Sequence, residues 1–183
     1  MTPMKVLETD RLSLRRLTLD DDAFILRLVN EPAWLQFIGD RGVRNNADAR
    51  DYLAKGPIAM YAKFGFGLWA VERKSDGELL GICGLLQRDT LPDVDLGFAL
   101  LEKSWGQGYA HEAAAATRGH AQRAFALKRL VAITSPENHR SIKLLEKLGF
   151  TFEGLIRLTE AARESKLFGW SPGQPDPDPR HGG

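Results

Sequence analysis

The segment Trp105-Gly106-Gln107-Gly108-Tyr109-Ala110 constrains the fold most, because it joins a strand pattern over Val94 to Leu101 to an alanine-rich helix pattern from Gly108 to Phe125. Two glycines in such a turn let the chain bend sharply and let a ligand approach the backbone closely. The first N–H groups of the following helix have no intrahelical partner and point outward beside the positive end of its dipole. The turn therefore either only tightens the connection or holds an anion, most naturally a phosphate or pyrophosphate. On the helix, Ala110, Ala113, Ala114 and Thr117 form a face of small side chains that lets it lie close to a sheet.

The flanking patterns supply that sheet. Leu12, Leu14 and Leu17 alternate with polar residues and predict a first strand over Val6 to Leu17, irregular at Arg15-Arg16. Asp20 caps a helix through Phe24, Ile25, Leu28 and Val29, which Asn30-Glu31-Pro32 ends. Asn46 or Asp48 starts a second helix, stopped by Gly56-Pro57. Strands Leu68 to Arg73 and Glu78 to Gln87 flank Asp76-Gly77, a hairpin signal. After Leu101 the chain alternates: the alanine-rich helix, strand Leu130 to Thr134, and helix Asn138 to Leu148 capped by Gly149. Strands Phe150 to Leu158 and Ser165 to Trp170 complete it. Hairpins followed by alternation predict an α/β (α+β) fold with a mixed sheet, in one domain over residues 1–170. Residues 171–183, rich in Pro, Gly and Asp without apolar periodicity, read as a disordered tail.

Composition excludes several classes. Lys plus Arg number 25 against 24 Asp plus Glu, so no global field attracts nucleic acid or a membrane surface. The arginines at 11, 15, 16, 41 and 44 form no long basic block and read first as solvated faces and only second as anion contacts. No window reaches the ~18 apolar residues that span a bilayer, and the first ten residues carry no apolar run of signal-peptide length. Cys83, the only cysteine, sits in an apolar run and reads as a buried structural thiol. A soluble, cytoplasmic protein is expected. A dinucleotide fingerprint fails because His111 stands at its third glycine, and a zinc-protease helix fails because Ala115 stands where a second histidine is needed. No metal site is expected.

Two further constellations carry polar chemistry. Asn138 caps the helix after Thr134-Ser135-Pro136-Glu137, and Ser141 lies on the same side of that helix. Both either serve capping alone or face the crevice at the C-terminal strand ends, where open α/β sheets bind ligands. Period-two alternation puts Asp93, Asp95 and Gly97 on the more polar face of their strand. There Asp95 either takes a proton or pairs with an arginine.

In this order and spacing the pieces resemble the GNAT acyltransferases, and within them the ribosomal-protein-alanine acetyltransferase type. The resemblance runs from about Leu7 to Trp170. It rests on Thr9-Asp10-Arg11-Leu12-Ser13-Leu14-Arg15, on Trp105 to Ala113, and on Asn138-His139-Arg140-Ser141-Ile142 through Glu146-Lys147-Leu148-Gly149-Phe150. It implies a sheet of about seven strands, mostly antiparallel and splayed in the middle, with helices on both faces. It also implies acetyl-CoA as donor, a primary amine as acceptor, and a monomer or homodimer. The phosphate loop maps onto Trp105, Gly106, Gln107, Gly108, Tyr109 and Ala110, with Trp105 where the wider superfamily has glutamine or arginine. Pantetheine would pair with the strand carrying Phe98, Ala99 and Leu100, and Asn138 and Ser141 would contact its arm or sulfur.

Asp95 stands where relatives often carry a glutamate base, its shorter side chain implying a relay through water. A backbone N–H at Ala99 or Leu100 would meet the oxyanion. The family's tyrosine acid is missing: Phe168 lies in that region and no tyrosine follows Tyr109, which leaves Ser141 to stabilise the leaving thiolate. The acceptor is expected near Trp34, Phe37 and Ile38 or, preferentially, at the Gly65-Phe66-Gly67 loop. Two other readings stand beside this one, a non-catalytic acyl-CoA-binding module on the same scaffold and transfer of a larger acyl group such as succinyl.

Overall fold

In the computed structural model, which describes residues 2–174, one sheet of eight strands runs in the order β1-β2-β3-β4-β5-β6-β8-β7. The strands are β1 Lys5–Glu8, β2 Leu12–Arg16, β3 Leu68–Arg73, β4 Leu79–Leu86, β5 Asp95–Leu100, β6 Leu130–Thr134, β7 Thr151–Ile156 and β8 Ser165–Trp170. Neighbours pair antiparallel except β5 and β6, which run parallel. The eighth strand arises because the expected first strand is two. The chain reverses at Thr9, whose N–H donates to the Leu12 carbonyl at 2.9 Å, and β1 folds back on β2. The expected tail falls mainly on residues outside those described.

The helices divide between the two faces. On one, α1 Asp22–Leu28 and α3 Asn46–Leu53 bury Ile25, Leu28, Ala49 and Leu53 against Ala70 of β3 and Ile82 of β4. On the other, α5 Tyr109–Phe125 lays Ala113, Ala114 and Ala121 against the strand residues Leu12, Trp69 and Cys83. There Cys83 Sγ lies 3.4 Å from Thr117 Oγ1, fully buried as expected. The helix α6 His139–Lys147 adds Leu145 to the same cluster.

Two local expectations are corrected and a third is extended. Thr18, not Asp20, caps the first helical segment: its hydroxyl accepts from the Asp20 N–H at 3.2 Å and Asp21 reaches back to the Thr18 N–H at 2.8 Å, a capping box. Asn30-Glu31-Pro32 does end α1, but Pro32 opens another helix, α2 Pro32–Phe37, at a first-turn position where its missing N–H costs nothing. Gly56-Pro57 does not stop the second helix. One wide turn, Ala54–Ile58, absorbs the proline, and the chain continues as α4 Ala59–Phe64 to a left-handed cap at Gly65.

Helix α4 delivers Tyr61 to the sheet, where its hydroxyl accepts from the Leu17 N–H at 3.1 Å and donates to the Leu68 carbonyl. Tyr61→Phe leaves both backbone groups without their partner, so unfolding free energy should fall by about 2 kcal/mol. Urea denaturation with a lower midpoint and unchanged slope is the expected readout.

Candidate active site

β5 and β6 are held together at one register position, Asp95 opposite Val131, with the Val131 N–H donating to the Val94 carbonyl at 3.0 Å. Beyond it they diverge. A cleft of about 360 Å³ enters the opening, walled by Leu96 to Ala99 on one side and Ala132 to Ser135 on the other. A second cleft of about 620 Å³ runs from there to the glycine turn, between α2, α5 and α6. Trp34, Phe37, Phe98, Asn138 and Ser141 wall both, so the two meet between the strands.

The turn is built as an anion cradle. Gly106 and Gly108 adopt φ of 74° and 82°, the left-handed region that favours glycine. The Trp105 N–H donates to Glu102, and the helix ladder begins with Glu112 donating to Gly108, both at 3.1 Å. Between them, among the described residues, nothing accepts from the N–H groups of Gly106, Gln107 or Gly108. Tyr109, Ala110 and His111 add the orphan donors of the first helical turn. Around this end α6 sets Arg140, Lys143 and Lys147, with Arg140 4.5 Å over the Trp105 ring. Burial first, then the charges of Lys147 and Arg118, push the His111 pKa down.

A brace that no local pattern announces holds the turn in place. Arg11, in the β1–β2 connection, donates from Nε to Glu112 Oε1 at 3.0 Å and from a terminal nitrogen to the Gln107 carbonyl at 2.9 Å, and it lies 4.4 Å over the Tyr109 ring. Thr9 donates to the other oxygen of Glu112 at 2.8 Å. Arg11→Gln removes the clamp on the Gln107 carbonyl while leaving the amides, so CoA affinity should drop about fivefold to tenfold. Isothermal titration with CoA reads it directly.

The remaining expected residues fall as follows. Gly106, Gly108, Tyr109 and Ala110 line the larger cleft, whereas Gln107 contributes backbone that Arg11 holds. The Leu101 N–H donates to Leu80, and strand alternation therefore turns the Ala99 N–H toward Ile82, away from the oxyanion expected there, and the amides of Phe98 and Leu100 toward the opening. The Trp105 indole donates to the Leu100 carbonyl at 3.0 Å, so Phe98 keeps the freest pair of backbone groups. Asn138 Oδ1 accepts from the Ser141 N–H at 3.3 Å and caps α6 while both side chains line the channel.

Asp95 is not on a polar face. It is 1 % exposed, behind the cleft wall, sharing its face with Gly97, which Leu68 and Leu86 cover. Asp95 Oδ2 accepts from Arg88 Nε at 2.8 Å, while Oδ1 has no partner among the described residues. Desolvation raises its pKa and Arg88 only partly offsets this. Asp93 precedes β5 and pairs with Arg129 at 3.1 Å. The Gly65-Phe66-Gly67 loop does not reach either cleft. Phe66 is buried against Phe64 and Phe125, and a Cβ on Gly67 would strike the Tyr61 ring, so Gly67 serves close packing and Gly65 the left-handed cap of α4. Trp34, Phe37 and Ile38 take the place expected for the loop. Of Arg41, Tyr52 and Arg88, which line the smaller cleft, the sequence offered only Arg41, as an anion contact in second place.

Comparison with known proteins decides what this channel belongs to. The profile of the acetyltransferase (GNAT) domain matches residues 11–151. The chain belongs to the GNAT family. It is 28% identical over 162 residues to the N-acetyltransferase p20 of Bacillus licheniformis, covering 87% of this chain and 90% of that one. An acetyltransferase of Agrobacterium tumefaciens superposes with a TM-score of 0.77 at 27% identity, over 93% of this chain and 95% of its own. RimL, a ribosomal L7/L12 α-N-protein acetyltransferase solved in complex with coenzyme A, shares the fold with a TM-score of 0.78 at 19% identity, over 91% and 97%. This GNAT protein is an acyl-CoA-dependent N-acetyltransferase, and the open amides of its glycine turn suit the pyrophosphate of such a donor.

Proposed function

We propose that this GNAT protein moves the acetyl group of acetyl-CoA directly onto a primary amine, either a protein N-terminus or a small-molecule amine. The observation that carries the reading is the row of unpartnered amides at one end of a channel whose other end opens between diverging strands. The cradle grips the pyrophosphate, Arg140, Lys143 and Lys147 add charge there, and Phe98 pairs the pantetheine arm along β5. The thioester carbonyl then lies between β5 and β6.

A neutral amine entering the smaller cleft attacks that carbonyl: the C–N bond forms and the carbonyl electrons move onto oxygen. A backbone N–H turned toward the opening, at Phe98 or Leu100, stabilises the oxyanion. The amine proton leaves through water to Oδ1 of Asp95. Collapse of the intermediate breaks the C–S bond, and the Ser141 hydroxyl hydrogen-bonds the departing thiolate, which takes up a proton from solvent. An α-amine, with a reference pKa near 7.8, asks far less of the base than a lysine amine near 10.4. That difference, with the likeness of fold to RimL, supports an N-terminal or similarly weakly basic amine.

Release of free thiol from acetyl-CoA, followed with a panel of peptides and small amines, tests the proposal. Amine-dependent release is expected. A folded protein that binds CoA and acetylates none of the panel would overturn the transfer reaction while leaving the cradle intact.

A further inference from the structure

The smaller cleft, where the amine enters, has a one-sided charge. Arg41, after α2, and Arg88, after β4, both line it, and both act electrostatically on the Tyr52 hydroxyl between them. Among the described residues no aspartate or glutamate side chain lines this cleft. Asp95, behind the wall, engages Arg88 only at Nε, which leaves the two terminal nitrogens of that guanidinium as a fork. Arg41 makes no ion pair or hydrogen bond among the described residues. The Trp34 ring also lines the cleft, while its indole N–H, without an acceptor among the described residues, is turned into the core.

Arg88 is half-buried, and terminal guanidinium nitrogens without acceptors are costly there unless a ligand completes them, while exposed Arg41 adds a second positive charge to the wall. Apart from Asp95 Oδ1 behind the wall, the unmatched polar groups here are donors, and every formal charge that lines the cleft is positive. A polyamine or other polycationic acceptor would meet like charge with no carboxylate to hold it, which weighs against such partners.

We infer that the acceptor is an amine that also carries an oxyanion, a carboxylate or a phosphate, which docks on Arg41 and Arg88 while its amino group turns toward the thioester. This rests on the transferase reading above and narrows it. The anion aligns the molecule, and the aromatic wall of Trp34 and Phe37 takes its apolar part. Both oxyanions suit an arginine fork, so size and charge number decide between them.

The test compares matched primary amines in the thiol-release assay: ω-amino carboxylates, their carboxamides, O-phosphorylated amino alcohols and diamines of equal chain length. An oxyanion-bearing acceptor is expected to exceed its neutral carboxamide in kcat/KM by about twofold to fivefold, what one accessible charge pair supplies. Preference for carboxylate or for phosphate names the source. Arg41→Gln should collapse the ratio toward one through KM, Arg41→Lys should restore part of it, and the CoA affinity of both variants should stay at the native value. Diamines or carboxamides as the best acceptors, or a ratio untouched in Arg41→Gln, would overturn the inference.

Should no amine react, the transferase reading fails first. Calorimetric titration of the CoA-loaded protein with the same carboxylate and carboxamide then decides this one. Tighter carboxylate binding that Arg41→Gln abolishes upholds the anion site, and equal binding overturns it.

Discussion

Gly106→Val is expected to weaken acetyl-CoA binding on the order of 10²-fold while lowering the melting temperature by only a few degrees. Gly106 sits at φ 74°, which a β-branched residue enters at a cost of about 1–2 kcal/mol. A Cβ there meets nothing within 4 Å, so no packing is lost and the fold tolerates the change. The backbone relieves the strain by rotating its N–H groups out of the cradle. Two misdirected charge-assisted hydrogen bonds at about 1.5 kcal/mol each then account for the loss in affinity. Isothermal titration with CoA beside a thermal scan reads both quantities. An unchanged dissociation constant would mean that the glycine turn merely connects β5 to α5.

Asp95→Asn should cut kcat by about 10²–10⁴-fold, the range for loss of a positioned base, with no loss of stability at neutral pH. Burial raises the carboxyl's pKa, so its contribution to stability is complete below the unfolded value and is lost as pH rises through the folded one. Above the unfolded value the raised pKa is thus a cost to the fold that Arg88 offsets only in part, and asparagine removes it. The sign for activity is opposite. A base works only when ionised, so native kcat/KM falls as pH drops through the raised pKa, and the acidic limb lies above the ordinary carboxylate range. In Asp95→Asn that limb should vanish. A retained limb with a higher acceptor KM would instead make Asp95 a positioning residue for Arg88.

What the sequence disclosed was what neighbouring residues decide. Asp76-Gly77 marked its hairpin, Gly149 its helix end, and Leu130 to Thr134 its strand, because turn geometry and period-two burial are local properties. The glycine turn and Asn138 were equally legible. Pro32 and Pro57 misled, since proline is read as a terminator although a first helical turn or a widened one accommodates it. The Arg11 brace was not readable because its partner lies 101 positions away. The Arg41, Tyr52 and Arg88 group comes from a loop, a helix and a strand end that only the tertiary fold brings to one wall. Asp95 was found, but alternation cannot tell a solvated face from one that another layer covers.

The burial of Cys83 has a practical corollary. Packing pushes its thiol up to about 12, so at pH 8 only about one molecule in ten thousand carries a nucleophilic sulfur, and no reagent has a path to it. With a single cysteine in the chain, a disulfide dye added to the native enzyme has nothing to titrate except coenzyme A set free by turnover. The catalyst is therefore colourless in its own assay, and thiol-directed inhibitors of the native enzyme must work by some route other than alkylation.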